Sequence, residues 1–362
     1  LSWRLELLET SRNSVIRGGP GEFSAFVSEW SEYGGEERGR TYVITDANVA
    51  RERADELEQL SRFGPARPLI LPAGEPTKDL DTLGICYSWL AEGGARRDDV
   101  VIAFGGGVIG DLAGFAAATY LRGVSLWQVP TSLLAQVDSS VGGKVAINLP
   151  AGKNLAGAFY QPDVVVIDPV FLDTLPREEF RNGLGEVLKY ALLEGEGLMA
   201  LVEGRVAGVN QRLPRALDEI TERCVRYKAA VVQEDERETG LRAALNLGHT
   251  IGHALEKYLG YGRVGHGQAV ALGLLAALRV SEELLDLDRG VRPRMLSLMT
   301  AIGISAQVEL PDTDGVLEAT GWDKKLTAAG RGYVGLRRLG EPVLGLDPSD
   351  DLLLEALEVI RI

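Results

Sequence analysis

Along the first half of the chain, short apolar runs alternate with amphipathic stretches. Thr41-Tyr42-Val43-Ile44-Thr45 is rich in β-formers, Arg67-Pro68-Leu69-Ile70-Leu71 is a second run, and Asp99-Val100-Val101-Ile102-Ala103-Phe104 is apolar after its first residue. Short uninterrupted apolar runs predict strands buried on both faces of a parallel sheet. Further runs at 124–129 and 164–167 extend the set. Between them, the Arg/Glu-rich stretch after Asn48, the segment 79–92 and the small-residue segment 112–121 predict helices. Strands alternating with helices predict an α/β domain with a mainly parallel sheet.

From Pro176 the pattern changes. Long amphipathic stretches at 177–194, 213–233, 244–259, 268–285 and 350–361 predict a mostly helical second domain. The expected division is therefore 1–175 and 176–362, with a small hairpin at 330–346. Internal repeats and low-complexity tracts are absent from the sequence.

Composition narrows the class. A chain of 362 residues exceeds what one core usually holds, which supports two domains. With 45% hydrophobic and 25% charged residues it reads as an ordinary globular protein. A net charge of −14 argues against binding nucleic acid or an anionic membrane. An anionic substrate would have to be met by Lys and Arg gathered locally. Cys86 and Cys224 lie far apart in helix-like apolar patterns and predict buried thiols in a reducing compartment. No run approaches the roughly 18 apolar residues of a membrane helix. Leu1-Ser2-Trp3-Arg4-Leu5 lacks a signal-peptide layout, although the chain begins with Leu rather than Met. A cytoplasmic location is expected.

The chain has three histidines, all between 249 and 266. His249 and His253 stand four apart, so on a helix both imidazoles project from one face. His266 follows a glycine-rich turn that can return it to that face. Imidazoles collected this way hold a divalent metal or shuttle protons. The cluster lacks an anionic ligand, for which Glu186 is one candidate. Glu186 and Lys189 also fit an ordinary i,i+3 surface ion pair. Two His and one carboxylate with an open fourth position suit a catalytic zinc site. Arg242, one turn before Asn246, is placed to grip a carboxylate bidentately or simply to be solvated. Lys228, Lys324 and Lys325 are the remaining basic candidates.

Gly105-Gly106-Gly107-x-x-Gly110-Asp111 follows a buried strand and opens a helix, where backbone N–H groups favour a pyrophosphate. A tight strand–helix turn explains the glycines equally well when they are taken alone. Other strand ends carry polar groups too: Asp46 and Asn48, Gly74-Glu75 with Thr77-Lys78, and Thr131-Ser132. Ligands of open α/β sheets bind at such carboxyl ends. The glycine-rich stretch 136–154 carries Asp138, Lys144, Lys153 and Asn154 and reads as a binding loop, with Arg122 a further anion-binding candidate.

Together these stretches resemble the 3-dehydroquinate synthase family of sugar-phosphate cyclases. The resemblance rests on TDANVA (45–50), PAGEPTK (72–78), GGGVIGDLAGF (105–115), YLRG (120–123), QVPTSLLAQVDSSVGGKVAIN (128–148), GKN (152–154), GAFYQP (157–162), GEVLKY (185–190), LNLGHTIGHALE (245–256), HGQAVALG (266–273) and DKK (323–325). These motifs run in order through nearly the whole chain. Related iron-dependent polyol dehydrogenases share the Gly-rich turn and a helical metal domain but not the DSSVGGK loop or the GHTxGHALE run.

The resemblance implies a Rossmann-like parallel-sheet NAD-binding domain, a helical metal- and substrate-binding domain, and an active site in the cleft between them. It implies Zn or Co held by Glu186, His249 and His266. For NAD it implies Asp46 and Asn48, the turn Ala73, Gly74, Glu75, Pro76, Thr77 and Lys78, and the helix start Gly107, Val108, Ile109, Gly110 and Asp111. Thr131, Ser132, Lys144, Lys153 and the segment Phe171, Leu172, Asp173 and Thr174 complete that set. For substrate it implies Arg122, Asp138, Lys144, Asn154, Lys189, Lys228, Arg242, Asn246, His253 and Lys324 or Lys325. Arg122 can come from a neighbouring subunit, so a homodimer is expected. The implied reaction turns 3-deoxy-D-arabino-heptulosonate 7-phosphate into 3-dehydroquinate and phosphate, on the route to chorismate and aromatic amino acids. NAD is used catalytically, with no net redox change.

Two departures stand out. Gln268 occupies a position that is usually Glu, which removes a carboxylate from the metal's surroundings. Ser132 replaces a more usual Thr but keeps the hydroxyl. Competing readings are a cyclase acting on sedoheptulose 7-phosphate or glucose 6-phosphate, an NAD-linked polyol dehydrogenase, and a non-catalytic nucleotide binder.

Overall fold

The apolar runs of the first half assemble, in the computed structural model of the chain, into one seven-stranded sheet. Residues 2–8, 10–32, 39–260, 263–320 and 332–362 are described. The strands are β1 (Trp3–Leu7), β2 (Ser14–Gly18), β3 (Thr41–Asp46), β4 (Leu69–Leu71), β5 (Val100–Gly105) and β6 (Ser125–Pro130), then a separate hairpin of β7 (Lys144–Leu149) and β8 (Gly152–Phe159), and finally β9 (Val164–Ile167). The sheet order is β1-β2-β9-β6-β5-β3-β4. Only the β1–β2 pair is antiparallel; the remaining neighbours run parallel.

Every residue of β5 is buried, because a strand with period two serves two cores at once. Val101 and Ala103 join Tyr42, Ile44, Leu112 and Leu126 on one face. Val100, Ile102 and Phe104 join Phe23, Phe26, Trp30, Trp127 and Phe171 on the other. The latter rings pack edge-on and offset: Trp30 and Trp127 have centroids 4.7 Å apart, and Phe23 and Phe171 lie 5.2 Å apart.

At the amino end of β5, the Asp99 carboxylate accepts from the Arg40 and Arg96 backbone N–H groups at 2.9 and 2.8 Å. The Arg40 guanidinium pairs with it at 2.8 Å. Burial pushes the Asp99 carboxyl up, but Arg40 and the two N–H donors outweigh it, and its pKa lies below the usual 3.8. A depressed folded-state pKa contributes stability above the unfolded value, and that contribution fades as pH falls through the folded one. Asp99→Asn should therefore lower the urea midpoint at pH 7 and have a markedly smaller effect near pH 3. Equal losses at both pH values would contradict this account.

By its internal packing the chain divides into one unit of Leu1–Leu175 with Lys228–Arg237, and another of Pro176–Tyr227 with Glu238–Ile362. The helical half is thus not one stretch. Lys228–Arg237 joins the first unit because Ser11 N and Oγ donate to Glu236 at 2.9 and 2.6 Å and Gln161 Nε2 donates to it at 3.0 Å.

The second unit is built around the helix His266–Leu284, which is buried on nearly all sides. Around it pack the helices Arg177–Glu194, His249–Leu259, Val291–Ala301 and Asp350–Glu358, and the strand β10 (Tyr333–Arg338). β10 forms a hairpin with β11 (Glu341–Leu346), within the expected 330–346 stretch.

Some expectations shift. The helix expected from 112 begins at Gly107, directly after the glycine turn. The stretch 136–154, read as a loop, is one π-helical turn (Ala135–Ser139) followed by β7, the turn and the start of β8. Its glycines sit where the chain needs them: Gly142 and Gly143 both have positive φ, the latter with Gln161 close against it.

Candidate functional site

In the first unit, six parallel strands end along one edge of the sheet. β3 leads outward to β4, whereas β5, β6 and β9 lie on the other side of β3, so the connections reverse between β3 and β5. A reversal of this kind opens a crevice beyond the carboxyl ends. Asp46 ends β3 and caps the following helix, accepting from Asn48 N and Val49 N at 2.8 and 3.1 Å. Gly105 ends β5, and the helix Gly107–Thr119 starts with no side-chain cap. A Cβ on Gly106 would stand 3.3 Å from Ser132 Oγ, and one on Gly107 would stand 3.1 Å from Ser139 Oγ. Glycine is therefore what lets an uncapped helix start and two hydroxyls share this space. Thr131 N donates to Gly105 O at 2.9 Å, tying the end of β6 to the same turn. Uncapped N–H groups beside hydroxyls suit a pyrophosphate.

The segment 72–78 belongs to the same edge. Gly74 has φ +104°, Thr77 Oγ1 donates to Pro72 O at 2.8 Å, and the buried Lys78 pairs with Asp111 at 2.6 Å. Burial raises the Asp111 carboxyl above its usual range, against the pull of Lys78. Asn148 donates to Glu75 Oε1 at 2.7 Å, and its own side-chain oxygen accepts from Asn154 N at 2.9 Å. Lys78, Glu75, Asn148 and Asn154 are thus linked through the β7–β8 hairpin. Val108 is half-buried, whereas Ile109 is core. Phe171 and Leu172 are core as well, so only Asp173 and Thr174 of that segment are exposed, and Asp173 pairs with Arg53.

Lys228 and Asp138 come together across 90 residues of sequence. Lys228 Nζ donates to Asp138 O at 2.7 Å and also pairs with its carboxylate. Lys144 is exposed at the start of β7, and Lys153 is half-buried on β8. Arg122 and Asn154 are exposed with φ of 69° and 56°, a conformation that costs a non-glycine residue free energy and that concentrates at functional positions.

In the second unit, Glu186, His249 and His266 bring their donor atoms within 4.8 Å of one another. His249 Nε2 and His266 Nε2 lie 3.5 and 3.4 Å from the same oxygen, Glu186 Oε1. The far nitrogens are held: His249 Nδ1 by Leu247 O at 3.2 Å, and His266 Nδ1 by the Glu256 carboxylate at 3.1 Å. Both imidazoles therefore turn Nε2 toward Glu186, as metal-bound histidines do. Glu186 is fully buried and neither of its oxygens accepts a hydrogen bond, although Lys189 Nζ approaches Oε2 to 2.5 Å. Lys189 meets one oxygen of this buried carboxylate, and the other, Oε1, is the one that faces both imidazoles. The donor set fits a divalent ion with an open coordination position.

The electrostatics treat the two imidazoles differently, and an ion would have to displace a proton from His266. Burial acts to raise Glu186, but Lys189 and the two imidazoles overcome it and hold the carboxyl well below its usual range. Burial lowers His249 and favours its neutral, metal-binding form. His266 resists burial because two carboxylates face it, and is pushed up to about 10.

This centre depends on glycine. A Cβ on Gly185 would fall under 3.0 Å from the Gly267 carbonyl, and one on Gly267 equally close to that of Asn182. The helices Arg177–Glu194 and His266–Leu284 thus meet backbone to backbone, immediately beside Glu186 and His266. His253 stands on the same helix as His249, exposed, with ring centroids 5.3 Å from His249 and 6.1 Å from His266. Arg242 is fully buried, on a turn that packs against the Arg177–Glu194 helix. Asn246 is exposed and donates to Glu238 Oε1 at 2.9 Å. Lys324 and Lys325 lie outside the described residues.

Glu256 and Glu238 were not singled out from sequence. Glu256 had a signal: with His249 and His253 it makes an i, i+4, i+7 series on one helix face. Glu238 had none, since its left-handed φ of 59° is a property of the fold.

Comparison with known proteins follows the same lines. Residues 68–182 match the model of the 3-dehydroquinate synthase N-terminal domain, and residues 183–326 that of the C-terminal domain. The chain is 46% identical over 318 residues to a 3-dehydroquinate synthase of Salinibacter ruber, covering 86% of each protein. It is 44% identical to that of Pelobacter propionicus, covering 89% of this chain and 90% of that protein. Among solved structures it is similar to a 2-deoxy-scyllo-inosose synthase complexed with carbaglucose-6-phosphate, NAD+ and Co2+. That likeness has a TM-score of 0.88 and 27% identity, over 98% of this chain and 99% of the other. With the sheet edge, the glycine turn and the Glu-His-His centre all in place, the chain belongs to the 3-dehydroquinate synthase family.

Proposed function

We propose that the protein converts 3-deoxy-D-arabino-heptulosonate 7-phosphate into 3-dehydroquinate and phosphate, with NAD+ and a divalent ion, Zn2+ or Co2+. The observation that carries this reading is the buried Glu186 carboxylate, one oxygen of which is faced by two imidazoles through Nε2. It is supported by the relatives, which are 3-dehydroquinate synthases over most of their length.

Glu186, His249 and His266 would hold the ion, which makes a bound hydroxyl more acidic. Bound NAD+ would supply a hydride acceptor and donor in one turnover, with no net oxidation. Asp46, the 73–78 turn, the Gly107–Asp111 helix start, Thr131 and Ser132 would receive the dinucleotide. Lys144, Asn154 and Arg122 would hold the phosphate and Arg242 the carboxylate. Lys189, Lys228, Asp138 and Asn246 would orient the hydroxyls, and exposed His253 would relay protons. Local cations can overcome a net charge of −14 because distant charges are screened beyond about 8 Å. A cytoplasmic homodimer fits this role. Support for the dimer is apolar: Leu121 beside Arg122, and Leu155 and Phe159 on β8, are 39%, 47% and 42% exposed.

The test supplies the heptulosonate phosphate, the metal and substoichiometric NAD+. Many phosphates released per NAD+ is the expected result. Release capped at one per NAD+ would instead indicate a dehydrogenase and reject the reading.

A further inference from the structure

We infer that Glu256 is the positioning residue for His266 and sets how firmly the centre retains its ion; this rests on the metal-site reading above. Glu256 lies seven residues after His249 on the helix His249–Leu259, and its side chain is buried. Its Oε2 stands 3.1 Å from His266 Nδ1. A carboxylate can only accept, so Nδ1 carries a proton, and Nε2, which faces Glu186, is the nitrogen left to give its proton up to an incoming ion. One helix therefore supplies both a ligand, His249, and the anchor for the other imidazole, His266, which starts the next helix. The helix pair is locked at short range: a Cβ on Gly252 would meet the Ala269 carbonyl at 3.1 Å. Position 268, two residues after His266 on that second helix, carries Gln and no charge. The carboxylate behind His266 is thus contributed by Glu256, and the Gln at 268 does not leave the imidazole unsupported.

The experiment measures Co2+ affinity by chelator competition, the visible absorption of bound Co2+, and kcat and KM at limiting and saturating metal. Glu256→Gln, which keeps a neutral acceptor, should weaken Co2+ binding roughly tenfold, and Glu256→Leu roughly a hundredfold. Excess metal should restore much of the activity of Glu256→Gln. A control on stability alone is Glu282→Gln, which breaks a buried pair with Arg292 (2.9 Å) far along the helix from His266. It should lower the melting temperature without loosening Co2+. Wild-type affinity in Glu256→Leu, or equal loosening in Glu282→Gln, would overturn the proposal. A wild-type protein that binds no Co2+ at all would instead overturn the metal-site reading on which it rests.

Discussion

Replacing Glu186 by Gln should abolish retention of the divalent ion and, with it, turnover. The carboxylate is the only anionic donor among Glu186, His249 and His266, and it is fully buried. Breaking a buried charge pair by removing one partner costs about 3–5 kcal/mol. At about 1.4 kcal/mol per tenfold, the ion should bind roughly a hundred- to several-thousand-fold more weakly. The same substitution removes the counter-charge from Lys189, itself 2% exposed and 2.5 Å from Glu186 Oε2, so the metal-free protein should also melt earlier. Glu186→Gln combined with Lys189→Met separates the two effects. The double variant should regain much of the lost stability and none of the metal. Metal content by atomic emission after dialysis, beside thermal unfolding, decides the matter; a Glu186→Gln protein that keeps a full equivalent of metal would refute the assigned centre.

Gly267→Ala should be the most damaging single methyl in the second unit. Its Cβ would meet the backbone carbonyl of Asn182, not the tip of a movable side chain, so relief requires two helices to separate. Overpacking a close contact typically costs about 1–3 kcal/mol and more where backbone must move. The helix that retreats carries His266 as its first residue, and the one it retreats from carries Glu186. Metal affinity should therefore fall along with the urea midpoint. Gly84→Ala is the contrast: that helical glycine has nothing within 4 Å of an added Cβ. There the change should stabilise by about 0.5–1 kcal/mol through helix propensity and leave metal binding alone. Similar midpoints for the two variants would show that the helices are not held at backbone distance.

Legibility followed physical cause. β5 was plain because burial on both faces demands an apolar run, and the helix Arg177–Glu194 because its period is long and bounded by Pro176. β1 and β2 were not, since two five-residue strands with mixed burial, one at the sheet edge and one beside it, carry too little pattern. The β7–β8 hairpin was hidden by its own turn chemistry: glycines and single charges read as a loop, although β7 buries Val145 and Ile147. Lys228–Arg237 read as part of a helical half because amphipathicity reports a buried face and not which neighbour buries it.

The same division holds for chemistry. The sequence by itself determined which groups were available: three imidazoles in one window, a glycine turn after a buried strand, and cations at strand ends. Those are matters of residue type and local spacing, which covalent order controls. Only the tertiary structure decided which groups meet. It turned Glu186 inward to face two Nε2 atoms, placed Glu256 behind His266, and left His253 exposed. It also showed why Gly185 and Gly267 are glycine. On an isolated helix they only weaken the structure, but where two backbones cross they are what permits Glu186 and His266 to come within reach of each other.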